Sequence, residues 1–188
     1  NTGGGTYFQA AVGGNTALNS LTTDLAAGNN ANDKTYINGG LVKTTGTQTF
    51  NDPVVVGTAA VAPATIGKTQ FVSTSNGAIT FANTLDGNND VQVNTGGATY
   101  FQGAVGAQTQ LNGLTTDLQG SGKTYINGTL VKTIGAQTFN DPVIVGAATV
   151  FHSTGNTSTS TPAGNINFIK TLDGAFAVNV NTAGDTYF

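Results

Sequence analysis

The chain has no Cys, Met, Trp, Arg or Glu. Without Cys there are no disulfides and no thiolate metal sites. Without Arg and Glu, charge rests on six Lys and nine Asp, and only 8% of residues are charged, against about 25% in an average soluble domain. Strong helix formers are correspondingly scarce. The six Lys are scattered, with no basic stripe interleaved with aromatics, so nucleic acid is not an expected partner. No apolar run approaches the roughly 18 residues of a membrane span. The sequence shows neither an initiator Met nor a signal peptide, so a mature chain or a piece of a longer one is expected. What remains is 38% hydrophobic, with 33 Thr and 27 Gly among 188 residues. Thr, Val, Ile, Phe and Tyr favour pleated structure, and Gly, Asn and Asp favour turns. The composition therefore predicts an all-β protein of many short strands.

Those strands come in a tandem array. The heptapeptide QTFNDPV at Gln48–Val54 returns unchanged at Gln137–Val143. Around it the words TYFQ, LTTDL, KTYING, LVKT and TLDG recur in the same order. Residues 1–93 form one unit and 94–180 a second, and 181–188 begin a third. The units differ in length in two places. AAGNNAND (Ala26–Asp33) is replaced by QGSG (Gln119–Gly122), and the second difference lies between QTFNDPV and TLDG. These are expected to be surface loops, among them the polar run Asn156–Pro162.

Within each unit a shorter pattern recurs: a large apolar residue, three small or polar ones, then an aliphatic. The pairs are Phe8/Val12, Ile37/Leu41, Phe50/Val54 and Phe81/Leu85, then Phe101/Val105, Ile126/Leu130, Phe139/Val143 and Phe168/Leu172. Each reads as a strand end, a tight corner and the next strand, with the apolar pair pointing inward. At the clearest corners, Asn51-Asp52-Pro53 and Asn140-Asp141-Pro142, the Asp reads as a turn residue. Reuse of one corner favours a parallel β-solenoid, a β-helix running as one continuous body through all the units. Coils of about 20 residues would give about nine coils and a rod of roughly 45 Å. The alternative is two tandem β-sandwich domains, since about 90 residues suits a sandwich.

The words TYFQGAVG, LTTDL, KTYINGTLVKTIGAQTFNDPVIVG and INFIKTLDG resemble the repeats of large secreted bacterial adhesins, the filamentous-haemagglutinin-like and autotransporter-like β-strand repeat proteins. The resemblance covers essentially the whole chain. It implies export to the bacterial surface, a solenoid shaft, and a role in adhesion, biofilm matrix or filament formation. It carries over no catalytic motif and no cofactor.

Few residues stand out for chemistry. His152, the single His, has no partner visible in sequence. The Asp residues sit mostly in turn words, so a carboxylate pair for polysaccharide cleavage is not apparent. Asp86, Asn88 and Asp90 alternate like a calcium loop but lack its downstream acid, and the second unit reads Asp173-Gly-Ala-Phe-Ala there. Ice binding would use ranks of Thr-x-Thr. Thr47-Gln48-Thr49 is one, yet its counterpart is Ala136-Gln137-Thr138. The expected function is structural: a stiff extracellular shaft associating end to end with copies of itself or adjoining repeats, with no catalytic residue, cofactor or established metal site. A module binding surface glycans through variable loops is the alternative, and a polysaccharide-degrading or ice-binding solenoid is less expected.

Overall fold

The computed structural model describes residues 4–23, 33–57, 67–117, 122–155 and 164–188. All seventeen strand pairings among them are parallel. Sandwiches are built on antiparallel pairs, so the chain is a parallel β-solenoid. Its strands are mostly three residues long and alternate inward, outward, inward, as in Gln48–Phe50, where Gln48 and Phe50 are buried and Thr49 is half-buried.

Three strand stacks form three faces. On the first, Thr6–Phe8, Thr35–Ile37, Val54–Val56 and Leu85–Gly87 lie in sequence. That face continues through single bridges at Val105 to Leu130–Thr133, Thr149–Ser153 and Val178–Thr182. The second face runs from Leu41–Thr44 through Lys68–Ser73, Asp90–Thr95, Gly113–Thr116, Gln137–Phe139 and Ile166–Phe168 to Thr186–Tyr187. The third runs from Leu21–Thr23 through Gln48–Phe50, Ile79–Phe81, Thr99–Phe101, Thr124–Ile126 and Val143–Val145 to Leu172–Asp173. Between register partners the chain spends as few as 19 residues, Ile37 to Val56, and as many as 31, Phe50 to Phe81. The longer coils contain segments outside the described residues, including most of Ala26–Asp33 and all of Asn156–Pro162. The 122 residues from Thr23 to Val145 make five coil steps. Coils thus average about 24 residues rather than 20. Seven strands on the third face, about 4.8 Å apart, set a rod of about 35 Å rather than 45 Å.

The repeat and the coil are out of phase. Each unit contributes ten strands plus one stretch held only by bridges, Val12 to Leu18 or Val105 to Leu111. Eleven segments on three faces make three and two-thirds coils. Every word therefore moves to a different face in the next unit. TYF lies on the first face at Thr6–Phe8, on the third at Thr99–Phe101, and on the second at Thr186–Tyr187. QTF moves from the third face to the second.

The core is a set of aliphatic and aromatic columns. Phe50, Phe81 and Phe101 stack at 5.3 Å spacings, with Phe71 edge-on to Phe50 and Phe81. Phe139, Phe168 and Phe188 repeat the column, with Phe151 edge-on to the first two. Each column is made of QTF, then ITF or INF, then the TYF of the following unit. The unit boundary at 93/94 accordingly falls inside one strand, Asp90–Thr95.

Of the predicted inward corner residues, Ile37, Phe50, Val54, Phe81, Leu85, Phe101, Val105, Ile126, Phe139, Val143 and Phe168 are buried. Phe8, Val12 and Leu172 are partly buried against the core in the end coils. Leu41 and Leu130 differ. They are half-buried, and the next residues, Val42 and Val131, are fully buried in their place. The ING corner takes one residue more than NDP, so alternation along LVKT turns Leu outward and Val inward. Gly40, at φ 71°, is the extra residue in the first unit.

Candidate functional site

QTFNDPV closes two corners. Gln48 and Gln137 are fully buried. The Gln48 amide donates to Val72 O at 2.9 Å and lies 3.2–3.3 Å from Thr44 Oγ1 and Val42 O. Gln137 does the same to His152 O, Thr133 Oγ1 and Val131 O. A buried side-chain amide thus ties together two neighbouring strands of one face, Leu41–Thr44 with Lys68–Ser73 and Leu130–Thr133 with Thr149–Ser153. At the next corner the Asn51 and Asn140 amides donate to Thr23 O and Thr116 O of the coil below, at 2.6 and 2.8 Å. Pro53 O and Pro142 O accept from Thr35 N and Thr124 N.

The aspartate of this corner is not a surface turn residue. Asp52 and Asp141 are 6% and 1% exposed. The Thr35 hydroxyl donates to Asp52 Oδ2 at 3.3 Å. Among the described residues no amide or hydroxyl donates to either oxygen of Asp141; its hydrogen-bond partner is another carboxyl group. What faces it instead is Asp117, from LTTDL one coil below, itself 2% exposed and held at φ 32°. Asp117 Oδ1 accepts the Thr95 amide N–H, and its Oδ2 accepts the Thr99 hydroxyl at 3.3 Å. Burial, and then the facing Asp141 carboxyl, push Asp117 up to about 8, while the Thr95 amide and the Thr99 hydroxyl pull the other way. Thr124 lies in register above Thr99. Its hydroxyl is fully buried and has no partner among the described residues. Two carboxyl groups and the Thr99 hydroxyl therefore share one buried inner corner. Sequence reasoning missed this column because NDP and TTD each look like ordinary turns. Only the coil-to-coil register brings Asp117 and Asp141 together.

The other candidate residues are dispersed. Asp86 Oδ1 already accepts the Gln108 and Thr109 amides at 2.8 and 3.2 Å. Asp90 stands exposed on the second face, opposite Lys68 and Gly113, whereas Asp86 stands on the first. Asn88 is exposed. Among the described residues no group of three His, Cys, Asp or Glu could hold a metal ion. A groove of about 600 Å³ runs over the first face past Tyr36, Val55 and Asp86. The carboxylate lining it is the one tied by those two amides. His152 is half-buried beside Lys132 and Asn181.

Outward residues form short ladders. Tyr7 stacks on Tyr36 at 4.5 Å, and Tyr100 on Tyr125 at 4.7 Å. Beside them Asn38 and Asn127 donate to Gln9 and Gln102. Within these pairs each ring turns one face to its neighbour. Thr22, Thr49 and Thr80 form an outward rank that ends at Tyr100. Thr47 and Thr49 flank the inward Gln48 and face outward together, but the next coil carries Ala78-Ile79-Thr80 in that register, so the Thr-x-Thr pair is not continued.

No protein-family model, no curated protein and no solved structure matches this chain.

Proposed function

We propose that the chain is a shaft segment of an exported bacterial repeat protein, serving at the cell surface or in its matrix as a structural and adhesive filament rather than as an enzyme. The observation that carries this reading is the seam between units. Phe101 of the second unit stacks on Phe81 of the first at 5.3 Å, and one strand runs through residues 93 and 94. Added repeats therefore lengthen one rod, and each new coil buries the columns beneath it.

The same physics supports end-to-end association with copies of itself or adjoining repeats. The last described coil leaves Ile169, Phe176, Val178, Tyr187 and Phe188 exposed, the last at 81%. Its strands present unpaired backbone groups, which favour pairing with another chain. The protein is expected to sediment as a concentration-dependent series and to form thin fibres under the electron microscope. Val178→Lys, on the exposed end of the first face, is expected to shift that series towards monomer, whereas Lys132→Ala on the side of the rod leaves it unchanged. A compact monomer at every concentration would contradict the end-to-end reading.

A further inference from the structure

We propose that the first face of the rod carries an elongated binding groove for a neutral, linear polysaccharide. The other two faces are unbroken sheets of seven strands. The ladder of the first is interrupted at residues 105–111, where single bridges stand in for a strand. Three depressions adjoin along that face. The first, of about 600 Å³, lies beside Tyr36 and Val55 and includes Gln108 and Thr109 in its wall. The second, of about 450 Å³, shares those two residues and reaches Thr154. The third, of about 360 Å³, shares Thr154 and runs past His152 to Asn181. From Tyr36 the register climbs through Val55 and Asp86, crosses the bridges at Val105 and Val131, and reaches His152 and Asn181. Those six coil steps span roughly 29 Å. A site of this form fits an extended chain rather than a compact ligand.

The lining selects the chemistry. Between Asp86 and His152 it carries no charge and offers the side-chain amides and hydroxyls of Gln108, Thr109, Gln110 and Thr154. Such groups both donate and accept hydrogen bonds, as sugar hydroxyls do. Gln108 and Thr109 are exposed, while their backbone amides are held by Asp86 Oδ1. Their side chains are therefore presented from a fixed frame, which lowers the cost of ordering them on binding. Tyr36 adds an aromatic wall at one end, its ring buttressed by Tyr7 at 4.5 Å. A concave site with a few convergent polar groups beside an aromatic surface is a common plan for ligand binding. A polyanion would need several cations, and Lys34 is the single Lys of this lining. A peptide strand would need a free sheet edge, yet the strands of this flank are paired with the coils above and below.

The groove lies on the side of the rod, so it rests on the adhesive part of the proposed function and not on end-to-end association. Cellohexaose, maltohexaose and mannohexaose, titrated calorimetrically into the full chain, serve as probes, with heparin as the polyanion. Saturable binding of at least one hexaose is expected, tighter than that of its disaccharide because the longer chain meets more of the groove. Gln108→Ala removes an exposed side chain shared by two of the depressions and keeps the backbone amide on Asp86. It is expected to weaken binding about fivefold, the worth of one net hydrogen bond, and Tyr36→Ala by a similar factor. Thr115→Ala, on the second face, is expected to bind as the parent does. No saturable binding of any of the three hexaoses, binding of heparin alone, or parental affinity in the folded Gln108 and Tyr36 variants would overturn the proposal. Sedimentation of the same samples separates the two readings. A self-associating rod that takes up no hexaose overturns the groove alone, and a monomer that binds one overturns end-to-end association alone.

Discussion

Phe81→Ala is expected to lower the free energy of unfolding by about 4 kcal/mol, in the range of buried Phe truncations. Phe81 is fully buried and touches three rings, with Phe50 and Phe101 stacked at 5.3 Å and Phe71 edge-on at 4.9 Å. Its loss opens a cavity that coils pinned by parallel ladders above and below cannot collapse. Because Phe81 and Phe101 belong to different units, the loss falls on the seam as well as on the first unit. In an array whose stability comes from neighbour contacts, urea unfolding should then separate into two transitions. Tyr100→Ala, one residue from the same column but directed outward, is expected to cost about 1 kcal/mol. Equal effects from the two substitutions would contradict the inward and outward assignment.

Stability is expected to fall as pH rises from 5 to 8, by on the order of 3 kcal/mol. The sign follows from Asp117. Its carboxyl stands at about 8 in the folded chain against 3.8 ordinarily. Between those values the folded state holds a proton that the unfolded state has released, so raising pH favours unfolding. Stability from this group is complete below pH 3.8 and decreases until about pH 8. Asp117→Asn, neutral at every pH, is expected to flatten this part of the profile and to melt higher than the parent at pH 8. Melting curves from pH 5 to 8 for both proteins decide it. A parent profile that rises with pH, or one identical to that of the variant, would show that Asp117 does not hold its proton.

Much of the architecture was legible because the physics that forms it is local. Phe50 and Val54 announce a corner by their spacing, Asn-Asp-Pro supplies its chemistry, and three-residue strands need nothing more. The parallel solenoid follows from reuse of that corner. The coil length did not follow, because nothing in the sequence marks where a coil closes on the one beneath. The segments of variable length hide the period, so the three-and-two-thirds phase between word and face emerges only from register. Leu41 differs from the expected inward position for a related reason. One added corner residue inverts the alternation of LVKT, and Leu and Val are equally apolar. Asp52 and Asp141, which lie at the bend, read as turn residues because a turn is sufficient when one coil is considered at a time. Their burial, and the meeting of Asp141 with Asp117, depend on residues 24 positions apart in sequence and neighbours in space. Gln48 and Gln137 give no sign in the sequence of being interior, since a buried Gln is justified only by the strand carbonyls that its amide reaches in two coils.

Consecutive units share one rod, the first coil of the second unit lying in parallel register on the last coil of the first. The chain contains no Cys, so an engineered pair reports without background. Thr80 and Tyr100 are register partners across the unit boundary, both directed outward, and neighbouring parallel strands bring Cα atoms within disulfide range. Thr80→Cys combined with Tyr100→Cys is expected to form an intramolecular disulfide rapidly under mild oxidation, as fast as Thr49→Cys with Thr80→Cys within the first unit. A pair that closes within the unit but stays reduced across the boundary would contradict the continuous solenoid.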